Sequence, residues 1–175
     1  MLDQVSTLRA QISDKINPCP GIYKWWFNAQ DTNILLSKLG FTNFSKLQSR
    51  VSNEEIYYAL YFGISKDLRM RAKWHICQKH SQSQIKHGTL STLRQTISAL
   101  LGSDMTKSMQ IVNNLLDRCY WEWDYVETHE QAKIIERHEL KEQTQYAYPL
   151  NIQENETVDK SIIHNLKLFR KQHKK

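Results

Sequence analysis

Three short segments of this chain place apolar or aromatic side chains at alternating positions, and the residues between them repeat apolar side chains at intervals of three and four. The segments are "GIYKWWF" (21–27), "EIYYALYFGIS" (55–65) and "CYWEWDYVE" (119–127). Alternation sends successive side chains to opposite faces of a strand, whereas a period near 3.6 lines one face of a helix. The pattern therefore predicts an α/β (α+β) domain, a small three-stranded antiparallel sheet flanked by helices. On the first strand Ile22, Lys24 and Trp26 share one face and Tyr23, Trp25 and Phe27 the other. On the second, Tyr57, Ala59, Tyr61 and Gly63 face opposite to Tyr58, Leu60, Phe62 and Ile64. Pro18, Pro20 and Gly21 bend the chain into the first strand.

The helical stretches follow from the same reading. Leu2, Val5, Leu8, Ile12 and Ile16 form one stripe, ended by Asn17-Pro18. Residues 31–52 form an insertion between the first two strands, read as two helices: one from Asp31 to Leu39 stopped by Gly40, the second from Thr42 or Ser45 through Val51. A helix over 66–79 carries Leu68, Ala72 and Ile76 on one stripe and Arg71, His75 and Lys79 on another. Further helices are predicted from Gly88 and Thr89 to Gly102, over 129–145, and over the basic C-terminal stretch 158–175.

One domain accounts for all 175 residues, with 40% hydrophobic content sufficient for a real core. No apolar run approaches a membrane span, and the N-terminus lacks the basic head and apolar block of a signal peptide, so a cytoplasmic protein with no membrane partner is expected. Three widely spaced cysteines suggest idle or buried thiols rather than disulfides or a zinc knuckle. Cys77 with His80 and His87 has no ligand spacing either. The net charge of +6 is concentrated: residues 160–175 hold six bases and no acid, and residues 66–87 hold six bases against Asp67. Residues 117–142 carry eight acids to four bases. Two basic segments around an acidic one suit a polyanion that must also meet a carboxylate-held cation, although three solvated faces would give the same counts.

Tyr23 in "GIY" and Tyr61 in "YFG" lie on strands that pair if the insertion closes a hairpin, which allows both phenols onto one sheet face. Arg71 follows ten residues after Tyr61, then His75, then the acids Glu136, Glu139 and Glu142, then Asn151. In "PGIYKW", "LYFGISKDLRMRAKWH" and "IERHELKEQTQYAYPLN" the chain resembles the GIY-YIG nucleases, a family that includes homing endonucleases, the incision subunit of bacterial nucleotide excision repair and some restriction endonucleases. The resemblance spans residues 18–152. Phe62 replaces the usual aliphatic centre of the second motif, the two tyrosines stand further apart than in the shortest members, and Ile64 stands where some members have lysine, leaving Lys66 or Lys73 to assist.

The resemblance implies a metal-dependent endonuclease acting on nucleic acid, DNA in preference to RNA, with Tyr23, Tyr61, Arg71, His75, Glu139 and Asn151 as its catalytic set. Glu139, chosen by its spacing to Asn151, is the ligand of a single Mg²⁺ or Mn²⁺ that keeps most of its waters. Arg71 suits a phosphate gaining charge. Tyr23 acts as general base or holds the water, Tyr61 positions water or phosphate, His75 shares proton transfer, and Asn151 ties the loop after the acidic helix to the site. Lys66, Arg69, Lys73, Lys79, Lys86, Arg94, Lys167 and Lys171 are candidate nucleic-acid contacts, with "KHGTLSTLRQ" a helix start suited to phosphate. The alternatives are a catalytically inactive nucleic-acid-binding module of the same fold and a protein-interaction domain. Trp25, Trp26, Trp121 and Trp123 read as packing rather than base-stacking platforms.

Overall fold

The computed structural model describes residues 1–142 and 145–174. Its sheet is larger than the sequence predicts, with five antiparallel strands in the order β1-β5-β2-β4-β3: β1 (Leu2–Gln4), β2 (Gly21–Asn28), β3 (Ser49–Ser52), β4 (Glu55–Ser65) and β5 (Tyr120–Tyr125). The three expected strands form its centre. Both additional strands come from stretches read as helix. Leu2 matches the apolar spacing of the helix that follows, but it pairs with Glu122 on β5, and helix α1 (Val5–Lys15) starts only after it. In the insertion, Phe44–Lys46 makes a single 3₁₀ turn, and β3 then folds back on β4 through Asn53 and Glu54, which take φ of 49° and 65°. Two left-handed residues between paired strands match the right-handed strand twist, and Asn tolerates that conformation well. The 31–52 insertion is thus one helix and one arm of a hairpin rather than two helices.

That one helix is α2 (Ala29–Leu39), capped by Asn28 rather than Asp31 and stopped by Gly40 at φ 71°. Asp31 is taken by Arg118, which donates to both its carboxylate oxygens. Helix α3 (Leu68–Cys77) leaves β4 through an Asp67 cap. The short α4 (Gln82–Lys86), α5 (Thr92–Leu100) and α6 (Met109–Asp117) lead to β5, and α7 (His129–Arg137) and α8 (Lys160–Gln172) complete the chain. Residues 143 and 144 of the predicted 129–145 helix, and Lys175 of the basic tail, lie outside the described residues. None of the described helices is long and apolar enough to cross a membrane.

Each sheet face has its own core. Tyr23, Trp25 and Phe27 join Leu8, Ile12, Leu68, Ile76, Leu93 and Ile97 on one side, while Trp26, Tyr57, Ala59, Phe62, Leu140 and Tyr148 pack on the other. Burying Trp25 and Trp121 stabilises by about 5 kcal/mol each from area removed from water. Among the described residues both indole N–H groups lack a hydrogen-bond partner, which offsets about 1–3 kcal/mol of each contribution.

One irregularity in this sheet decides the site. Trp25 stands opposite Tyr61 while Trp26 stands opposite Ala59, so Leu60 is an extra residue in β4. A bulge of this kind shifts the alternation by one. Tyr61 and Gly63 therefore do not share a face with Tyr57 and Ala59, as strict alternation predicts. They lie on the side of Tyr23 and Trp25.

Candidate active site

Tyr23 pairs across the sheet with Gly63, and a Cβ added at Gly63 would collide with the Tyr23 ring and hydroxyl. The glycine of "YFG" is thus the floor on which the first tyrosine lies. The ring is enclosed by Tyr61, stacked at 6.2 Å, by Trp121 at 5.5 Å and by His75 at 5.3 Å, and Tyr23 is 2% exposed. Tyr61 is only half-buried. The two hydroxyls act on each other's protons.

Helix α3 supplies the next two groups, because positions 71 and 75 are one turn apart. Arg71 is half-buried, with its guanidinium 4.6 Å from the centre of the Trp74 ring. His75 is 1% exposed; Nε2 lies 2.8 Å from the Tyr23 hydroxyl and Nδ1 2.6 Å from Ser91 Oγ. Burial, then Arg71 and Arg94, push its pKa well below the ordinary histidine range, so the imidazole is neutral near pH 7. Burial raises the pKa of both phenols, well above the ordinary range for Tyr23; Arg71 opposes this at both, and Arg170 opposes it at Tyr61.

Glu136 is the carboxylate whose charge reaches Tyr23 and Tyr61. Burial, then Glu154, raise its pKa, and Arg71 opposes them. Glu139 is placed elsewhere, accepting at 2.7 Å from the hydroxyl of Tyr148, within the core on the far side of the sheet from Tyr23. The cause is local: α7 ends at Arg137 and the chain widens into a π-helical turn over His138–Glu142, so a three-residue step no longer returns to the same line. Glu142 is exposed on that turn. Glu139, the ligand expected from the sequence, thus lies against Tyr148, and Glu136 is the acid whose charge reaches the phenols.

Asn151 donates to Phe62 O at 2.7 Å and accepts from Phe62 N at 2.9 Å. Strand β3 covers β4 only as far as Tyr58, and Asn151 fills the open edge immediately beside Tyr61. Beyond it a cleft of 890 Å³ opens, lined by Ile64, Glu136, Arg137, Ile152, Glu154 and Lys167 among others. Among the described residues no three His, Cys, Asp or Glu side chains cluster as a multi-ligand metal site. The donor set fits a hard divalent cation that keeps most of its waters: a half-buried carboxylate, disfavoured as an anion by its surroundings, with Glu154 in electrostatic reach.

Of the predicted nucleic-acid contacts, Lys66, Lys73, Lys79, Lys86, Lys167 and Lys171 are exposed, and Arg69 is half-buried and donates to Ile16 O. Arg94 is a correction. It is 0% exposed and donates to His75 O, His80 Nε2 and Asn113 Oδ1, fastening the carbonyl end of α3 to α5 and α6. Ser91 of "KHGTLSTLRQ" is likewise enclosed, whereas Lys86 and Thr89 of that segment are exposed. Conversely, Lys133, Arg137 and Lys141 line the cleft, and sequence reasoning passed over them because the acids of 117–142 outnumber them.

The Arg94 contact makes His80 an acid sensor of the fold. Burial, then Arg94, lower its pKa to about 4. Unfolded His80 takes its proton near pH 6.5, so between that pH and 4 the unfolded chain binds more protons and stability falls as pH falls. The loss is about 3 kcal/mol at 1.4 kcal/mol per pH unit. His75 adds to it in the same direction. Urea unfolding followed from pH 7 to 4.5 is expected to show this decline, and a flat profile would contradict it.

A family model described as the GIY-YIG catalytic domain matches residues 21–172. Searches among curated proteins and among solved structures return no match. The matched span runs from the first residue of β2 to the last residue of α8, and so contains both tyrosine strands, the Arg71 helix, the acidic helix and Asn151. The chain belongs to the GIY-YIG nuclease family.

Proposed function

We propose that this protein is a divalent-metal-dependent endonuclease that hydrolyses phosphodiester bonds in nucleic acid. The observation that carries this reading is that Arg71 and Glu136 both act electrostatically on the two phenols, while Glu136 also lines a cleft whose walls carry Arg137 and Lys167. A phosphodiester entering the cleft meets the Arg71 guanidinium, which donates to oxygens gaining charge. Tyr61 is the half-buried member of the pair. Burial raises the Tyr61 pKa, and Arg71, the Tyr23 hydroxyl and Arg170 oppose that rise, so Tyr61 suits the orientation of the attacking water and Tyr23 supports it from behind. Asn151 keeps the Tyr61 backbone in place through Phe62. Glu136 would hold a Mg²⁺ or Mn²⁺, which when bound supplies positive charge to the phosphate and to the departing oxygen.

DNA is the first substrate class to test, since the homing, repair and restriction enzymes that this family includes act on it. A panel of linear and branched DNA and RNA substrates is expected to be nicked or cut with Mg²⁺ or Mn²⁺ and left intact in EDTA. Salt-sensitive binding without turnover under either metal would instead mark a nucleic-acid-binding module.

A further inference from the structure

Resting on that reading of Tyr23 and Tyr61, we infer that Ser91 is a positioning residue that holds His75 as a neutral Nε2–H donor to the Tyr23 oxygen and so directs the Tyr23 proton toward Tyr61. Ser91 is fully enclosed, and among the described residues its Oγ has two hydrogen-bond partners, the backbone N–H of Arg94 at 3.5 Å and His75 Nδ1 at 2.6 Å. An N–H can only donate, so the proton of the Ser91 hydroxyl has one acceptor, His75 Nδ1. A neutral imidazole carries a single proton, which this contact assigns to Nε2.

Nε2–H then donates to the Tyr23 oxygen at 2.8 Å. With that oxygen receiving from the core, the Tyr23 proton is left to turn toward the side of the stacked Tyr61 ring, whose hydroxyl acts on it. The reverse arrangement, Tyr23 donating to Nε2 and Nδ1–H donating to Ser91, would leave the serine proton buried with no acceptor. Hydrogen bonds therefore run in one direction, from Ser91 through His75 to the Tyr23 oxygen, each polarising the next, and leave the Tyr23 proton facing the half-buried Tyr61. The frame is rigid: Ser91 caps α5, and Arg94 from the same helix binds the carbonyl of His75. Arg71 and Arg94 are the charged groups facing the imidazole, so it stays uncharged as it donates.

The test is nitrogen NMR of the ¹⁵N-histidine-labelled full chain, with turnover measured alongside on the substrate cut best. Wild-type His75 is expected to show a protonated Nε2 and a bare Nδ1. Ser91→Thr, which keeps the hydroxyl, is expected to preserve both that signature and kcat. Ser91→Ala is expected to populate the Nδ1–H form and to lower kcat about tenfold, the scale of one neutral hydrogen bond lost from the reacting state, without a change in KM. A wild-type His75 protonated at Nδ1, or a Ser91→Ala enzyme with wild-type tautomer and kcat, overturns the assignment. The wild-type spectrum decides even where Ser91→Ala does not fold. Absence of turnover on every substrate would count against the nuclease reading alone, because the tautomer is read without it.

Discussion

Glu136→Gln is expected to lower cleavage in Mg²⁺ about a thousandfold, the scale on which removal of a group acting directly on the reacting charge is felt, whereas Glu139→Gln keeps the rate within about threefold. The two acids are three residues apart, but only Glu136 bears on the phenols and on Arg71. Glutamine at 139 still presents an oxygen to the Tyr148 hydroxyl, so that contact survives the change. Stability separates a functional loss from a structural one. Burial and Glu154 both oppose the Glu136 charge, so neutralising it is expected to leave unfolding unchanged or to stabilise slightly, even as cleavage disappears. Rates from matched protein concentrations, with urea midpoints for both variants, decide the point. Full activity in Glu136→Gln together with loss in Glu139→Gln would restore the spacing-based choice and remove the acid from the cleft described above.

The Glu136 and Glu139 pair also shows where sequence reading stops. Periodicity correctly located β2, β4 and β5, because their side chains obey a rule that depends only on neighbours in the chain. It failed where the rule itself changes partway along an element. The extra residue at Leu60 reverses the facing of Tyr61 and Gly63, and the π-helical turn at His138–Glu142 breaks the relation between positions 136 and 139. Neither change has a local signal, since each is set by what the backbone must meet across the sheet. Arg94 misled for a related reason. A cation near a helix start reads as a phosphate contact, but here α3 ends against it, and its carbonyls together with His80 and Asn113 satisfy the guanidinium in the core. β1 was hidden because Leu2 fits the helix stripe numerically, and β3 because its turn is Asn-Glu rather than the Asn-Gly that marks such hairpins most strongly. By contrast the approach of Tyr23 to Tyr61 needed only two strands to pair, and the insertion between them closes as a hairpin does.

Gly63→Ala is expected to destabilise the protein by about 3 kcal/mol, the upper part of the usual overpacking range, and to abolish cleavage with it. The added methyl would occupy the position of the Tyr23 ring tip and hydroxyl, and the ring has nowhere to retreat between Tyr61, His75 and Trp121. Relief requires the strands to part or Tyr23 to leave its bond to His75, and either outcome disorders the two phenols. The mechanism can be separated from a general intolerance of alanine in a strand by a double-mutant cycle. Tyr23→Leu removes the ring tip and makes room for the methyl, so in that background Gly63→Ala is expected to cost less than about 1 kcal/mol. Gly102, at φ 71° with open space around its Cβ position, is the control for backbone conformation alone; alanine there is expected to cost about 1 kcal/mol through the left-handed backbone and to leave activity intact. Equal costs for Gly63→Ala with and without the Tyr23 ring would show that the glycine serves the backbone rather than the tyrosine, and the close fit of strand to phenol would lose its functional meaning.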